Sequence, residues 1–132
     1  MKFLTPEGLK DPKGYAHGVA CPLDGNIVFV AGQIGWLADG SFPSQAIAGQ
    51  VRQALTNIVR ILLAAGGRPK HVARMTWYVT DKREYLASQR EIGEAYREIM
   101  GLHYPAMSVV EVSALLEDQA KVEIEVTAVV PK

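Results

Sequence analysis

The 132-residue chain lacks most of the features that assign a protein to a specialised class. Its single cysteine, Cys21, cannot form an intrachain disulfide, so we expect a reducing, cytoplasmic environment. We find no signal-peptide pattern and no apolar run long enough to span a bilayer, so we expect no membrane partner. Lys and Arg number 14, as do Asp and Glu, which argues against binding to nucleic acid. The three histidines have no metal-ligand spacing and no nucleotide-binding motif occurs, so we expect no metal and no cofactor.

What is present is the composition of an ordinary globular protein. Hydrophobic residues make up 48% of the chain and charged residues 21%. Neither a repeat nor a linker divides the sequence, and its length is that of one domain. We therefore predict a single domain over residues 1–132.

A β-hairpin is predicted near the N-terminus. Residues 5–14 contain two prolines and two glycines and are expected to be irregular. Residues 15–21 and 26–32 have strand-like composition and flank Asp24-Gly25, a pair typical of a type I′ turn. The second of these runs is apolar at nearly every position, which predicts a strand covered on both faces.

Two amphipathic helices and three further strands are predicted downstream. Ser44 is a candidate N-cap for a helix whose apolar residues recur at steps of three and four as far as Gly66-Gly67. Asp81, with Glu84 three residues later, predicts the start of a second helix that runs to about Met100. The remaining strands are expected at 71–80, 106–112 and 120–130, and the last of them alternates apolar and polar residues.

The resulting order, ββαβαββ, predicts an α+β fold with a single sheet and two helices on one face. Each helix has one apolar stripe, so both helices must pack on the same side of the sheet. The opposite face would then expose apolar strands, which predicts self-association through the sheet. Glu123 and Glu125 on that face are expensive to bury unless they line a wet cleft.

Five short motifs resemble, in order and spacing, those of the RidA family, the reactive intermediate deaminases (YjgF-type). They are Gly14-Tyr15-Ala16-His17, Ala31-Gly32-Gln33-Ile34, the helix with Gln50 and Asn57 that ends at Ala64-Ala65-Gly66-Gly67, Tyr104-Pro105-Ala106-Met107-Ser108, and Val122-Glu123-Ile124-Glu125. The resemblance covers nearly the whole chain. It implies a chorismate-mutase-like fold and a homotrimer with an inner β-barrel, in which clefts lie between neighbouring subunits.

The resemblance also implies a reaction, the hydrolysis of small 2-imino or 2-amino-alkenoic acids to 2-keto acids and ammonia. It places the catalytic glutamate, which holds the attacking water, on Glu123 and a pocket tyrosine on Tyr15. His17, where many members have glutamine, is a further catalytic candidate because a neutral imidazole can pass a proton to departing ammonia.

The substrate-binding positions that the resemblance implies are Gly32, Gln33, Met107 and Val109. Met107 stands where the family has an arginine that clamps the substrate carboxylate, so the chain resembles an arginine-lacking branch. Loss of such a charge-assisted hydrogen bond costs roughly 1.5–3 kcal/mol. We therefore expect altered substrate specificity.

Several of these residues also have structural interpretations. Glu123 is also consistent with a solvated position on a strand, and His17 with a polar residue at the rim of a cleft. Met107 is also consistent with packing in the core or at an interface. Trp77 is more often a core or interface residue than a platform for a flat ligand. For the whole chain, the alternatives to a hydrolase are a trimer that binds a small metabolite without turnover and, against the balanced charge, an endoribonuclease.

Overall fold

A computed structural model describes all 132 residues and confirms the α+β class. The strands are β1 (Lys2–Leu4), β2 (Gly18–Ala20), β3 (Gly25–Ile34), β4 (Val72–Val79), β5 (Ala106–Glu111) and β6 (Val122–Pro131). The helices are α1 (Ile47–Ala64), α2 (Lys82–Ala87) and α3 (Gln89–Met100), and a short 3₁₀ turn covers Pro69–His71. None of the helices combines the length and apolar character needed to cross a membrane.

The main sheet is mixed and has four strands in the order β3-β6-β4-β5. β6 runs antiparallel to both β3 and β4, whereas β5 runs parallel to β4. The helices α1 and α3 pack together on one face of this sheet, as predicted, and alternate residues of β6 are buried beneath them. The other face of the sheet has no helix over it, and we call it the open face.

The predicted hairpin at Asp24-Gly25 is wrong. β2 is only three residues long and pairs with β1 in a separate two-stranded ribbon, whereas β3 pairs with β6. Gly25 does not have a positive φ, which a type I′ turn requires. It begins β3 opposite Pro131, and a Cβ there would collide with the Val130 carbonyl oxygen. The long pairing of β3 with β6 therefore overrides the local turn signal.

Two predicted helix boundaries also need correction. Ala46, not Ser44, precedes α1, and the Ser44 hydroxyl accepts the Ala46 N–H at 3.1 Å in a local turn. Asp81 caps the second helical region as predicted, accepting two backbone N–H groups at 2.9 and 3.2 Å. That region is not continuous, because it breaks at Ser88 into α2 and α3.

Gln50 ties the start of β6 to the rest of the fold. Its buried amide donates to the carbonyl oxygens of Ser44 and Gln119, at 3.2 and 2.9 Å, and accepts the Lys121 N–H at 2.8 Å. Gly35 lets the chain pass close by, since a Cβ there would lie 2.7 Å from Gln50 Cα. These contacts set the position of the strand that carries Glu123.

Candidate functional site

Glu123 lies against a bulge in the neighbouring strand. The β3–β6 register shifts between Val30 and Gln33, so Ala31 and Gly32 together oppose a single residue of β6. An ideal Cβ built on Gly32 would lie 2.7 Å from Glu123 Cδ and 2.9 Å from its Oε2. The carboxylate therefore occupies the space that any larger residue at position 32 would fill.

Glu123 and Glu125 share the open face but differ in their partners. Glu125 accepts a hydrogen bond from the Tyr78 hydroxyl at 2.6 Å, and this bond raises the pKa of Tyr78. The half-buried Glu123 carboxylate accepts no side-chain or backbone hydrogen bond within the chain. Of the two carboxylates, Glu123 is thus the one whose lone pairs are available to water or a ligand.

Tyr15, Met107 and Val109 line one cleft at the β5 edge of the sheet. The N-terminal segment reaches this edge because the Ala16 N–H donates to the Pro105 carbonyl oxygen at 2.9 Å. Tyr15 then lines a hollow of about 240 Å³ with Met107, Val109 and Tyr85. Three of the residues that the sequence assigns to the site are therefore neighbours.

These residues and Glu123 nevertheless lie on opposite faces of the sheet. Met107 pairs with Met75, a core residue, so its side chain is on the helix face. Glu123 pairs with Tyr78, whose neighbours Trp77 and Val79 are core residues, so Glu123 is on the open face. Within one chain the predicted site residues form two separate groups.

His17 and Gln33 lie near these groups without completing either. The His17 ring packs edge-on against Tyr15, with centroids 5.3 Å apart, and its Nε2–H donates to the Lys10 carbonyl oxygen at 2.6 Å. Nδ1 is therefore the nitrogen of a neutral His17 that can accept a proton. Gln33 donates to the Ala31 carbonyl oxygen at 3.0 Å and lines a groove that also includes Asn57 on α1.

A larger cleft of about 370 Å³ opens beneath Met107 on the helix face. Four aromatic residues line it, namely Trp77, Tyr85, Tyr96 and Tyr104. Tyr96 stacks on Tyr104 at 5.2 Å and its hydroxyl donates to the His103 carbonyl oxygen at 2.5 Å. Burial raises the pKa of both Tyr85 and Tyr96, which keeps these phenols neutral at physiological pH.

Sequence reasoning placed Tyr85 and Tyr96 in the apolar stripe of a helix and treated Trp77 as more often a core or interface residue than a platform for a flat ligand. It placed Tyr104 in a loop expected to border the cleft. One signal was available in the sequence: Gly93 interrupts a helical pattern, and an isolated glycine there often marks a packing or functional constraint. It lines this same cleft. No group of three His, Cys, Asp or Glu side chains is placed to hold a metal ion.

Comparisons with known proteins agree with one another. Residues 8–130 match the family model described as Endoribonuclease L-PSP. The 2-iminobutanoate/2-iminopropanoate deaminase of Escherichia coli is 35% identical over 116 residues, which cover 87% of this chain and 86% of that protein.

Solved structures show the same likeness. The Rid-family protein YyfB of Yersinia pestis, whose function is unknown, superposes with a TM-score of 0.85 at 30% identity and 98% coverage of both chains. Escherichia coli TdcF with bound serine superposes with a TM-score of 0.68 at 32% identity, covering 98% of this chain and 99% of its own.

Proposed function

Because this chain belongs to the RidA (YjgF-type) family, whose model is described as Endoribonuclease L-PSP, we propose that it hydrolyses an imine or enamine of a small metabolite. The observation that carries the proposal is the Glu123 carboxylate, which lies over Gly32 and has no partner within the chain. A carboxylate in this state is suited to orient and deprotonate a water molecule.

The proposal requires a second copy of the chain. Tyr15 and Met107 are on one face of the sheet and Glu123 is on the other, so a pocket that contains all three forms between two copies. The open face supplies a surface for association, since it exposes Ile27, Phe29 and Val110, with Phe29 78% exposed. An apolar strand surface of this kind favours burial against another copy. We propose a homotrimer in which each cleft combines Glu123 and Gly32 of one subunit with Tyr15 and Met107 of the next.

The chemistry follows from these positions. Glu123 takes a proton from water as the oxygen attacks the C=N carbon, and the resulting carbinolamine collapses to a carbonyl group and ammonia. Both protons that water loses end on the nitrogen, which leaves as ammonia, and the catalytic groups return to their starting protonation states, so the reaction consumes only water. Tyr15 lines the pocket, and the free Nδ1 of His17 is a candidate for carrying the proton to the departing nitrogen.

Met107 distinguishes this site from one that binds the carboxylate of a small imino acid through an arginine. Its thioether carries no charge and packs partly against the core cluster. The substrate therefore has no guanidinium at position 107 to hold a carboxylate, and we propose that the substrate differs from 2-iminopropanoate.

The first experiment measures ammonia release from imines generated in solution by an amino-acid oxidase. Glu123→Gln should lower the rate on any accepted imine by about 10²-fold or more, the usual scale for loss of a general base. Glu125→Gln is the matched control, since it removes a carboxylate from the same strand and face and should retain most activity. Equal rates for Glu123→Gln and the parent protein would refute the proposal.

The second experiment tests position 107. We expect the parent protein to be slow on 2-iminopropanoate and Met107→Arg to be at least about tenfold faster, because a charge-assisted hydrogen bond contributes roughly 1.5–3 kcal/mol. An unchanged rate in a well-folded variant would show that position 107 does not contact the substrate carboxylate.

Met107 also supports a second candidate function, binding of a small metabolite without turnover. Thermal-shift measurements across a metabolite panel discriminate the two, because a ligand that favours the native state raises Tm. A ligand that raises Tm and is also consumed supports the hydrolase, whereas one that raises Tm and stays intact supports the binding protein.

A further inference from the structure

Arg97 is the only arginine of α1 and α3 that lines the cleft beneath Met107. Arg52 is ion-paired with Glu98 and Arg90 with Glu94, whereas Arg97 makes no ion pair. Arg60 of α1 also makes no ion pair, but it lines a different groove. Its guanidinium folds back along the helix over Gly93, where an added Cβ would lie 3.0 Å from Nη1. The side chain thereby joins the wall of the cleft beneath Met107.

Gly93 lowers the stability of α3, and the position of Arg97 gives a reason for a glycine there. Glycine is disfavoured in a helix interior relative to alanine, and Gly93 lies within α3. Its lack of a side chain leaves the room that the Arg97 guanidinium occupies, and Gly93 itself lines the cleft.

The cleft combines positive charge with an apolar interior. Its only charged lining residues are Lys13 and Arg97, and no carboxylate lines it. Its volume of about 370 Å³ exceeds the roughly 150 Å³ of an engineered apolar cavity that binds benzene. It therefore has room for an aromatic ring with a short polar extension, and the rings of Trp77 and Tyr85 meet edge to face at 6.5 Å to form one wall.

Trp77, which lines the cleft, also carries a buried donor without a partner. Its indole Nε1 is the one buried side-chain nitrogen or oxygen without a hydrogen-bond partner, although the residue is only 2% exposed. A buried donor without an acceptor is unfavourable.

We infer that the cleft beneath Met107 binds an organic acid with a planar apolar group, and that Arg97 holds its carboxylate in place of the arginine absent from position 107. Lys13 supplies a second positive charge at the rim, and the aromatic walls take the apolar group. The inference rests on the proposed function only in treating this cleft as part of the substrate site. It extends that proposal by naming the class of substrate, an imine derived from an acid with a large flat side chain.

The test uses Trp77 as the reporter of binding. The chain has two tryptophans, so Trp36→Phe leaves Trp77 as the only one. In this background we would titrate 3-phenylpropanoate and its neutral amide, 3-phenylpropanamide, while following tryptophan emission. We expect a saturable change with the acid and at least about tenfold weaker binding of the amide. No saturable change with the acid would overturn the inference.

Substitutions then separate a binding role for Arg97 from a structural one. Arg97→Gln should weaken binding of the acid by about tenfold and leave binding of the amide unchanged. A general structural effect would not produce this selectivity. Gly93→Ala should weaken binding of the acid less than Arg97→Gln does, because the new methyl group shifts the guanidinium by only a few tenths of an ångström. Arg83→Gln removes an exposed arginine from α2 outside the cleft and should change neither affinity. Acid binding by Arg97→Gln equal to that of the parent would overturn the inference.

The titration involves no imine, so its result is independent of turnover. Acid binding that depends on Arg97, without ammonia release from any imine, would refute the hydrolase and leave the anion site intact. Ammonia release that Glu123→Gln abolishes, with KM and acid binding unchanged by Arg97→Gln, would refute the anion site alone.

Discussion

Alanine at position 32 tests the contact between the β3 bulge and Glu123. The new Cβ would lie 2.7 Å from Glu123 Cδ and 2.9 Å from Cγ, whereas non-bonded carbon atoms pack at about 3.5–4.0 Å. The carboxylate must therefore move by roughly 1 Å. The φ angle of Gly32 is not positive, so alanine introduces no backbone strain of that kind and the perturbation acts mainly on Glu123.

The expected effect on catalysis is much larger than the effect on folding. A misplacement of about 1 Å costs on the order of 10²-fold in rate, which corresponds to roughly 2.7 kcal/mol in the activation free energy. Replacing glycine by alanine at a compatible backbone position stabilises a protein by about 0.4–1 kcal/mol, which offsets part of the steric cost. We therefore expect the free energy of unfolding to change by no more than about 1 kcal/mol.

The assay is ammonia release from an accepted imine, with urea unfolding measured on the same preparations. Gly32→Ala should lower the rate by about 10²-fold. In a Glu123→Gln background the same change should lower the rate little further, because both substitutions remove the same interaction, that of the Glu123 carboxylate with water. Full activity in a stable Gly32→Ala protein would refute the assignment of Glu123 as the group that positions water. Additive losses in the double variant would refute the idea that Gly32 acts through Glu123.

Three further predictions concern the framework. Gln50→Leu leaves one buried N–H and two carbonyl groups without their partner and should lower the free energy of unfolding by about 3 kcal/mol, measured by urea denaturation; no loss would show that water replaces the amide. Asp81→Ala removes a helix cap and should cost about 1 kcal/mol, seen as a lower Tm. Phe29→Asp should dissociate the proposed trimer in light-scattering measurements, while Leu116→Asp, at a residue 96% exposed and outside the strands of the sheet, should not. An unchanged mass for Phe29→Asp would place the subunit interface elsewhere.

Local patterns in the sequence predicted two kinds of element. Some bury one face, and others are stabilised by contacts between neighbouring residues. The apolar spacing of α1 and the alternation of β6 each identify a buried face, and the structure buries those faces. The cap at Asp81 involves only neighbouring residues, so it also follows from local sequence. The Asp24-Gly25 turn signal is local too, but the eight residues of β3 that pair with β6 outweigh it.

The arrangement of the candidate site depends instead on contacts between distant parts of the chain. That Glu123 and Met107 face opposite sides follows from the pairing of β4 with its two neighbours, which no spacing within β5 or β6 specifies. The place of Arg97 in the aromatic cleft depends on how α3 lies beside the sheet and on the space left at Gly93. Motifs in the amino-acid order identified the family and nominated Glu123, since side-chain chemistry and spacing are properties of the order alone. Only folding revealed a cleft with an unpaired guanidinium, because long-range packing brings its walls together.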